Sequence, residues 1–358
     1  MSEVVEAVAA VITEAGSSPS LVRAKVAPPQ AGEILVRIEA TGVCHSDLSA
    51  IDQGRPNPTV LGHEGAGVVE AVGDGVDRIR PGDRVVLSFA YCQECRNCLE
   101  GHPAYCEHFS ALNSGLNTEI LRNTATGEAI ATGWMGQSSW ASRMVVRESC
   151  ATVLPDDLPT ALAAPLGCGL LTGAGTVMNV LRPAAADRLL VIGAGAVGLA
   201  AVLAARAAGC QHITVVEPAV ARRELASDFG SSETLHPDDV QRLAAERVLD
   251  TVGTQSAMNL ALGALTPRGI CATVALKYGR NELSFEQARL LWGRTLTGVI
   301  EGDSIPSRDI PQLIALWRAG RFPIEAFVQP YAFEQLNQAI DDTRRGEVIR
   351  AVLTIEHS

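Results

Sequence analysis

No run in this sequence approaches the roughly 20 apolar residues that a membrane span requires. The richest apolar stretch, Leu189–Val202, carries three glycines and is followed by Arg206. The first residues, MSEVVEAV, place no positive region ahead of an apolar one and contain no cleavage-like site. Nothing there directs secretion, so the cytoplasm is the expected compartment and no membrane partner is expected. Basic clusters are missing too, beyond pairs such as Arg222-Arg223 and Arg344-Arg345. With 40 acidic against 29 basic residues, the formal net charge of −11 disfavours a nucleic-acid partner. Internal repeats, low-complexity tracts and long linkers are likewise absent.

What remains is a chain of 358 residues, 47% of them hydrophobic. That exceeds the size at which one core usually divides, so two domains are expected. The first part reads as β-rich. Glu33–Glu39 alternates with a period of two, and Ala7–Ile12, Gly65–Val72, Asp83–Ser88, Ser139–Val146 and Cys150–Leu154 are further strand candidates. Beyond Pro155, apolar strands alternate with helical patterns, which predicts an α/β fold with a parallel sheet covered on both faces. The strands are Arg188–Ile192, His212–Val216, Arg247–Val252, Gly269–Val274 and Thr295–Ile300. Helices are expected over Leu199–Ala208, Ala219–Phe229, Pro237–Ala245, Ala257–Ala264 and Phe285–Leu291. The predicted division is 1–155 with 303–358 as one domain and 156–302 as the other. Arg350–Ile355 reads as a terminal strand that returns to the first.

Gly193-Ala-Gly195-Ala-Val-Gly198 sits between an apolar strand and an alanine-rich helix, the setting in which such a glycine pattern has a mechanism. Gly193 permits a tight turn, Gly195 clears space for a pyrophosphate, and Gly198 lets helix and sheet approach. The phosphates then face a helix N-terminus, whose free N–H groups favour anions. Glu217 ends the next strand 24 residues after Gly193. A carboxylate there accepts from ribose hydroxyls and repels a 2′-phosphate, so NAD is expected over NADP, with Arg222 and Arg223 as the opposing signal. The plain alternative is a glycine-lined helix start of structural use alone.

Four of the nine cysteines, Cys92, Cys95, Cys98 and Cys106, fall within 15 residues. Four thiolates make the soft, closed, tetrahedral set that zinc accepts, leaving no position for water. A structural zinc is therefore expected, in a lobe of about 89–110; an iron–sulfur cluster or bare thiols are the alternatives. Three further residues stand in unusual local settings: Cys44 in GVCHSD, His63 in GHE and Cys168 in PLGCG. Taken singly, a buried cysteine is more often inert core than ligand.

Several motifs in order resemble the zinc-dependent medium-chain dehydrogenase family, and within it the aryl- or benzyl-alcohol dehydrogenase branch. They are GVCHSD at 42–47, LGHEGAG at 61–67, NCLEGHPAYC at 97–106, GQSSWA at 136–141, PLGCG at 165–169, GAGAVG at 193–198 and IEGDSIP at 300–306. The resemblance implies a Rossmann cofactor domain beside a β-rich GroES-like catalytic domain. It implies two zinc ions per chain, the catalytic one held by Cys44, His63 and Cys168. Glu64 matches a carboxylate that approaches the metal during ligand exchange, and Asp47 the acid that orients the ligand histidine. Ser46 matches the hydroxyl that takes the substrate proton. His45, Thr172, Val197 and Arg350 match positions near the cofactor. Ser49 departs from the pattern: many relatives end the proton relay there in a histidine.

By the same resemblance Trp134 and Met135 approach the substrate, with Ser88, Phe89 and Ile300 as weaker candidates. Large, soft side chains suit benzyl-type or terpenoid allylic primary alcohols such as geraniol, oxidised to the aldehyde. Trp140, flanked by small residues, reads as an ordinary buried aromatic. A homo-oligomer is expected, a dimer in preference to a tetramer. Rival readings are a metal-free quinone-oxidoreductase type, a zinc enzyme of aliphatic or glutathione-bound hydroxymethyl substrates, and a binding protein that kept the fold.

Overall fold

In the computed structural model of the chain, residues 4–55, 58–240, 242–275 and 281–357 are described. The chain divides into two compact units. One comprises Met1–Cys168, Ile305–Ile314 and Ile324–Ser358; the other comprises Gly169–Ser304 and Ala315–Pro323.

The first unit is built from strands. Val5–Ile12, Ser20–Val26, Ser114–Asn123, Ala129–Trp134 and Thr59–Val60 close into a barrel. A seven-stranded sheet is centred on the long strand Glu33–Val43, whose Ile34, Val36 and Ile38 are fully buried. Gly65–Val72, Arg143–Arg147 and the terminal strand Arg350–Thr354 all pair antiparallel with it. The register matters for function. Pairing Thr41 with Gly65 sets the chain leaving one strand at Cys44 beside the chain entering the other at His63-Glu64. Gly67 is required within that pairing, because a Cβ there would meet the Arg37 carbonyl oxygen at 2.0 Å.

In the second unit six strands form an all-parallel sheet. Their order is Glu233–Leu235, His212–Val216, Arg188–Ile192, Ala245–Asp250, Leu265–Thr273 and Thr295–Gly298. Chain order along the sheet is thus 3-2-1-4-5-6, the Rossmann arrangement, with its switch point beside Arg188–Ile192. Leu190, Ile192, Val216, Val248, Met258, Leu262 and Cys271 make a continuous buried cluster that glues sheet to helix.

Two expected helices contract to single 3-10 turns. Among the described residues of Pro237–Ala245 only Pro237–Asp239 turns, and Ala245 already opens the next strand. In Phe285–Leu291 only Gln287–Leu290 turns. Phe285 and Leu291 remain exposed and Leu290 alone of that segment packs against the sheet core, too little apolar burial to stabilise a longer helix. Among the described residues, no single helix is long and apolar enough to cross a membrane.

Candidate functional site

Cys44, His63 and Cys168 reach one place from three local structures. Cys44 is the N-cap of the helix His45–Gln53, directly after the central strand. His63 follows Gly62, whose φ of +86° makes the turn and whose missing side chain leaves room for the Trp140 ring. Cys168 ends the 3-10 turn Ala164–Gly167. That turn is pinned by Ser88 Oγ donating to the Gly167 carbonyl at 2.6 Å, and a Cβ on Gly167 would meet the Leu87 carbonyl oxygen at 1.8 Å. The two sulfurs and one ring nitrogen all lie within 4.8 Å of one another.

Asp47 organises this set. It is fully buried, and its carboxylate is surrounded by donors. Oδ2 accepts from the Cys44 backbone N–H at 3.0 Å, so the third helical residue caps its own helix start. Oδ1 accepts from His63 Nδ1 at 2.8 Å, from the Gly62 N–H at 3.2 Å and from the Trp134 indole N–H at 2.8 Å. With the proton on Nδ1, the His63 lone pair sits on Nε2. That atom is buried without a hydrogen-bond partner, the Cys44 sulfur being a polar neighbour. Burial disfavours the charged ring, yet the Asp47 carboxylate and Cys44 hold His63 well above the ordinary histidine range. The Cys44 thiol is held well below its ordinary value, first by its hydrogen bond with Cys168, against burial and with help from the Arg350 charge. A basic, orphaned imidazole nitrogen beside an acidic thiol and a second sulfur is a donor set that zinc fits.

Glu64 and Arg350 form a buried pair at 3.3 Å, and Arg350 Nη1 also donates to the Val43 carbonyl at 3.0 Å. Burial pushes the Glu64 carboxyl up to about 7 despite that partner. His45 is exposed, and Ser46 and Ser49 are half-buried, in the helix after Cys44.

The second cysteine group is equally well formed. Cys92, Cys95, Cys98 and Cys106 sulfurs lie within 4.8 Å of one another, with 3.9 Å between Cys92 and Cys98 and 4.0 Å between Cys95 and Cys106. A tetrahedron with Zn–S bonds of 2.3 Å has edges of about 3.8 Å, so the spacing fits. Backbone N–H groups point at the sulfurs, from Cys95 to Cys92, from Cys92 and His108 to Cys106, and from Glu107 to Cys95. Such donors favour thiolate; the Glu107 N–H leads the causes that bring Cys95 down to about 6.

In the other unit the glycine loop has the geometry its chemistry needs. Gly193 has a φ of +93°, a Cβ on Gly198 would strike the Gly193 carbonyl oxygen at 1.9 Å, and a Cβ on Gly195 would meet nothing within 4 Å. That open space lies at the N-cap of the helix Ala196–Ala207, and Val197 is half-buried in its first turn. Glu217 ends its strand against the loop, with Oε2 accepting from the Ala194 N–H at 2.8 Å and Oε1 from the Ala219 N–H at 3.0 Å. Arg223 is spent on the Glu217 and Pro218 carbonyls, while Arg222 is half-buried on the same helix. Thr172 is buried, and Ile300 is the N-cap of the turn Glu301–Asp303.

Trp134 and Met135 are both buried at the end of a barrel strand, Met135 with a φ of +50°. Phe89 packs against Tyr91 and Phe109, with ring centroids 5.9 and 5.8 Å away. Trp140 is fully buried and donates to the Gly42 carbonyl. Sequence reasoning assigned no role to Gln137, whose amide donates to the His63 and Ser88 carbonyls and accepts from the Gly65 N–H. Its motif GQSSWA is visible in the sequence, but nothing in a glutamine alone says that it clamps a ligand loop.

The family profile of the alcohol dehydrogenase GroES-like domain matches residues 30–156, and that of the zinc-binding dehydrogenases matches residues 196–319. A geraniol dehydrogenase of Castellaniella defragrans is 38% identical over 98% of this chain and 98% of its own. A zinc-binding-domain alcohol dehydrogenase from Burkholderia ambifaria superposes with a TM-score of 0.95 at 39% identity, covering 99% of this chain and 100% of that one. Benzyl alcohol dehydrogenase from Acinetobacter calcoaceticus superposes with a TM-score of 0.93 at 35% identity, covering 98% and 100%. An acetophenone reductase from Geotrichum candidum, solved with NAD, gives 0.79 at 26% identity over 99% and 98%. Whole-length identity at this level, on top of two zinc-competent ligand sets, makes the chain a member of the zinc-dependent medium-chain alcohol dehydrogenase family.

Proposed function

We propose that this chain oxidises aromatic or allylic primary alcohols to aldehydes with NAD, and runs the reverse reduction. The observation that carries the chemistry is the His63 Nε2 atom, orphaned between two thiols and backed by Asp47. The names of the geraniol and benzyl alcohol relatives carry the substrate class. In this reading residues 1–155 with 303–358 form the catalytic domain and 156–302 the NAD domain.

Cys44, His63 and Cys168 would hold the catalytic zinc, which when bound supplies Lewis acidity toward the alcohol or carbonyl oxygen. NAD supplies the hydride acceptor. The chain's own residues do the rest. Asp47 keeps a proton on His63 Nδ1, so the neutral ring presents its lone pair at Nε2. Ser46 takes the proton that leaves the alcohol oxygen and passes it outward. Ser49 is no base near neutral pH, so that relay ends on water or a cofactor hydroxyl. Glu64, paired with Arg350, stands by as a carboxylate neighbour of the ligand set. Gly193, Gly195 and Gly198 shape the pyrophosphate seat, Glu217 selects against a 2′-phosphate, and His45, Thr172, Val197, Arg222 and Arg350 flank the cofactor. Trp134 and Met135 lead the substrate-pocket assignment, followed by Ser88, Phe89 and Ile300. Cys92, Cys95, Cys98 and Cys106 would hold the structural zinc.

A cytoplasmic homodimer is our reading of assembly. Thr295–Gly298 is an edge strand, and Leu291 and Trp292 stand 70% and 66% exposed just before it. Light scattering at twice the chain mass supports the dimer; four times the mass replaces it with a tetramer.

Initial-rate NAD⁺ reduction against benzyl alcohol, geraniol, hexanol, ethanol and a glutathione-bound hydroxymethyl substrate tests the activity, with NADP⁺ in parallel. We expect kcat/KM for benzyl alcohol or geraniol to exceed that for ethanol at least a hundredfold. A flat or aliphatic profile sinks the aromatic and allylic assignment, and preference for the glutathione-bound substrate replaces it.

A further inference from the structure

We infer that Trp134 is a positioning residue that tunes the metal-binding strength of His63 through Asp47. The inference rests on the proposed catalytic site, and adds to it a residue that meets the ligand histidine edge to face, with ring centroids 6.2 Å apart, and reaches its Nδ1 side through Asp47. The Trp134 indole N–H and the His63 Nδ1–H share one acceptor, Asp47 Oδ1, each at 2.8 Å. The Gly62 N–H reaches the same oxygen at 3.2 Å, and donors on one oxygen compete: electron density drawn toward the indole is withheld from the imidazole. Trp134 therefore moderates the negative character that Asp47 lends to His63.

Two independent features aim the indole at this task. The Arg55 guanidinium lies over the Trp134 ring, 4.5 Å from its centroid. A cation there pulls density from the ring and makes the N–H a stronger donor. The backbone after Trp134 is also held in a costly shape. Met135 and Ser138, neither of them glycine, have φ of +50° and +56°. Such conformations are costly for residues that carry a Cβ, and persist only where their surroundings over-determine them. Here the Trp134 N–H donates to Ser138 Oγ, Ser138 Oγ donates to the Val60 carbonyl, and the Gln137 and Ser138 N–H groups return to the Trp134 carbonyl. The strained loop fixes the direction of one indole.

Asp47 stays anchored without Trp134, because the Cys44 and Gly62 N–H groups and His63 still hold it. The electronic consequence thus outweighs the positional one. In Trp134→Phe the ring remains and the donor is gone, so Asp47 pulls harder on the His63 proton and His63 binds zinc more tightly.

The test is the rate at which the holoenzyme yields zinc to a chelator, followed as two phases with the four-cysteine lobe as internal control. Trp134→Phe is expected to slow the catalytic phase at least threefold and leave the lobe phase unchanged. In protein labelled with ¹⁵N-histidine, the His63 Nδ1–H signal should move downfield in the same variant. An unchanged catalytic phase overturns the inference, and an accelerated one means that Trp134 only props Asp47 in place, which overturns it as well. Wild-type protein with a single zinc, held by the lobe, fails the catalytic-site reading itself and is recognised from metal content before any variant is made. Should Trp134→Phe not fold, the wild type decides. A slowly exchanging indole N–H of the ¹⁵N-tryptophan-labelled enzyme must shift when the catalytic zinc is withdrawn, and if none does the coupling is absent.

Discussion

Alanine at Gly195 and alanine at Gly198 add the same methyl group three residues apart, and their consequences differ in kind. At Gly198 the new carbon would stand 1.9 Å from a backbone oxygen that cannot move without unmaking the turn. Gly198→Ala should cost about 3 kcal/mol in chemical denaturation, the upper range of overpacking. At Gly195 nothing lies within 4 Å and the backbone is in an extended conformation that alanine adopts. Gly195→Ala should melt like the parent yet raise the Kd for NAD⁺ at least tenfold by calorimetry, because its methyl occupies the phosphate seat. Equal destabilisation by both changes would mean that the loop is structural only. Both glycine roles are readable in the sequence, since a glycine pattern between strand and helix has one mechanical meaning. The role of Trp134 is not readable. Its ring marks it as a pocket or core residue, and only the fold shows its N–H on the carboxylate that orients His63.

Among elements, the four-cysteine lobe is the one whose fold depends on its metal. Its helices, Arg96–Leu99 and Pro103–Tyr105, are single turns, and Leu99 is 74% exposed, so little apolar burial holds them. Cys106→Ala should drop zinc from two to about one per chain and lower the melting temperature before it alters chemistry at the remaining site. Two zinc ions retained in that variant would contradict the ligand assignment. A second element-level expectation concerns pH. Arg188 at the start of one parallel strand makes a bidentate pair with Glu246 near the start of its neighbour, at 2.6 and 3.2 Å. The Arg188 hydrogen bonds hold the Glu246 carboxyl down at about 2. A depressed carboxyl stabilises the fold above its unfolded value near 4.3, and the gain fades as pH falls toward 2. Arg188 is half exposed, so screening keeps the contribution at about 1 kcal/mol or less. Glu246→Gln should lower stability by that amount at pH 7 and by nothing measurable near pH 2; an equal loss at both would contradict the ion-pair account. The alternating stretch Glu33–Glu39 and the apolar run Arg188–Ile192 were visible in the sequence, the first extending to Val43 in the fold. The polar strand Ser114–Asn123 was not, because half of its side chains are exposed and its stability comes from barrel pairing. The two contracted helices keep only a few apolar contacts, Val240, Leu243 and Leu290 on the sheet core, too few to hold a longer helix.

For the whole molecule, the sequence separates what three distant segments are from where they meet. Cys44, His63 and Cys168 span more than a hundred residues, and no spacing rule joins them. Strand register joins the first two, and the Gly167 turn packed on Leu87 delivers the third. Their roles came from family resemblance, and their convergence within 4.8 Å is a property of the fold. Substrate class depends on side chains spread over several loops, which is why the names of relatives carry more of that assignment than any motif does. Metal-dependent hydride transfer from carbon is the central step, and isotopic labelling reads it directly. With benzyl alcohol deuterated at the carbinol carbon, the enzyme carrying two zinc ions should place one deuterium on C4 of the NADH it forms. Protein stripped of the Cys44–His63–Cys168 metal should place none. Absence of deuterium in the NADH, or equal transfer after the metal is gone, would contradict the account.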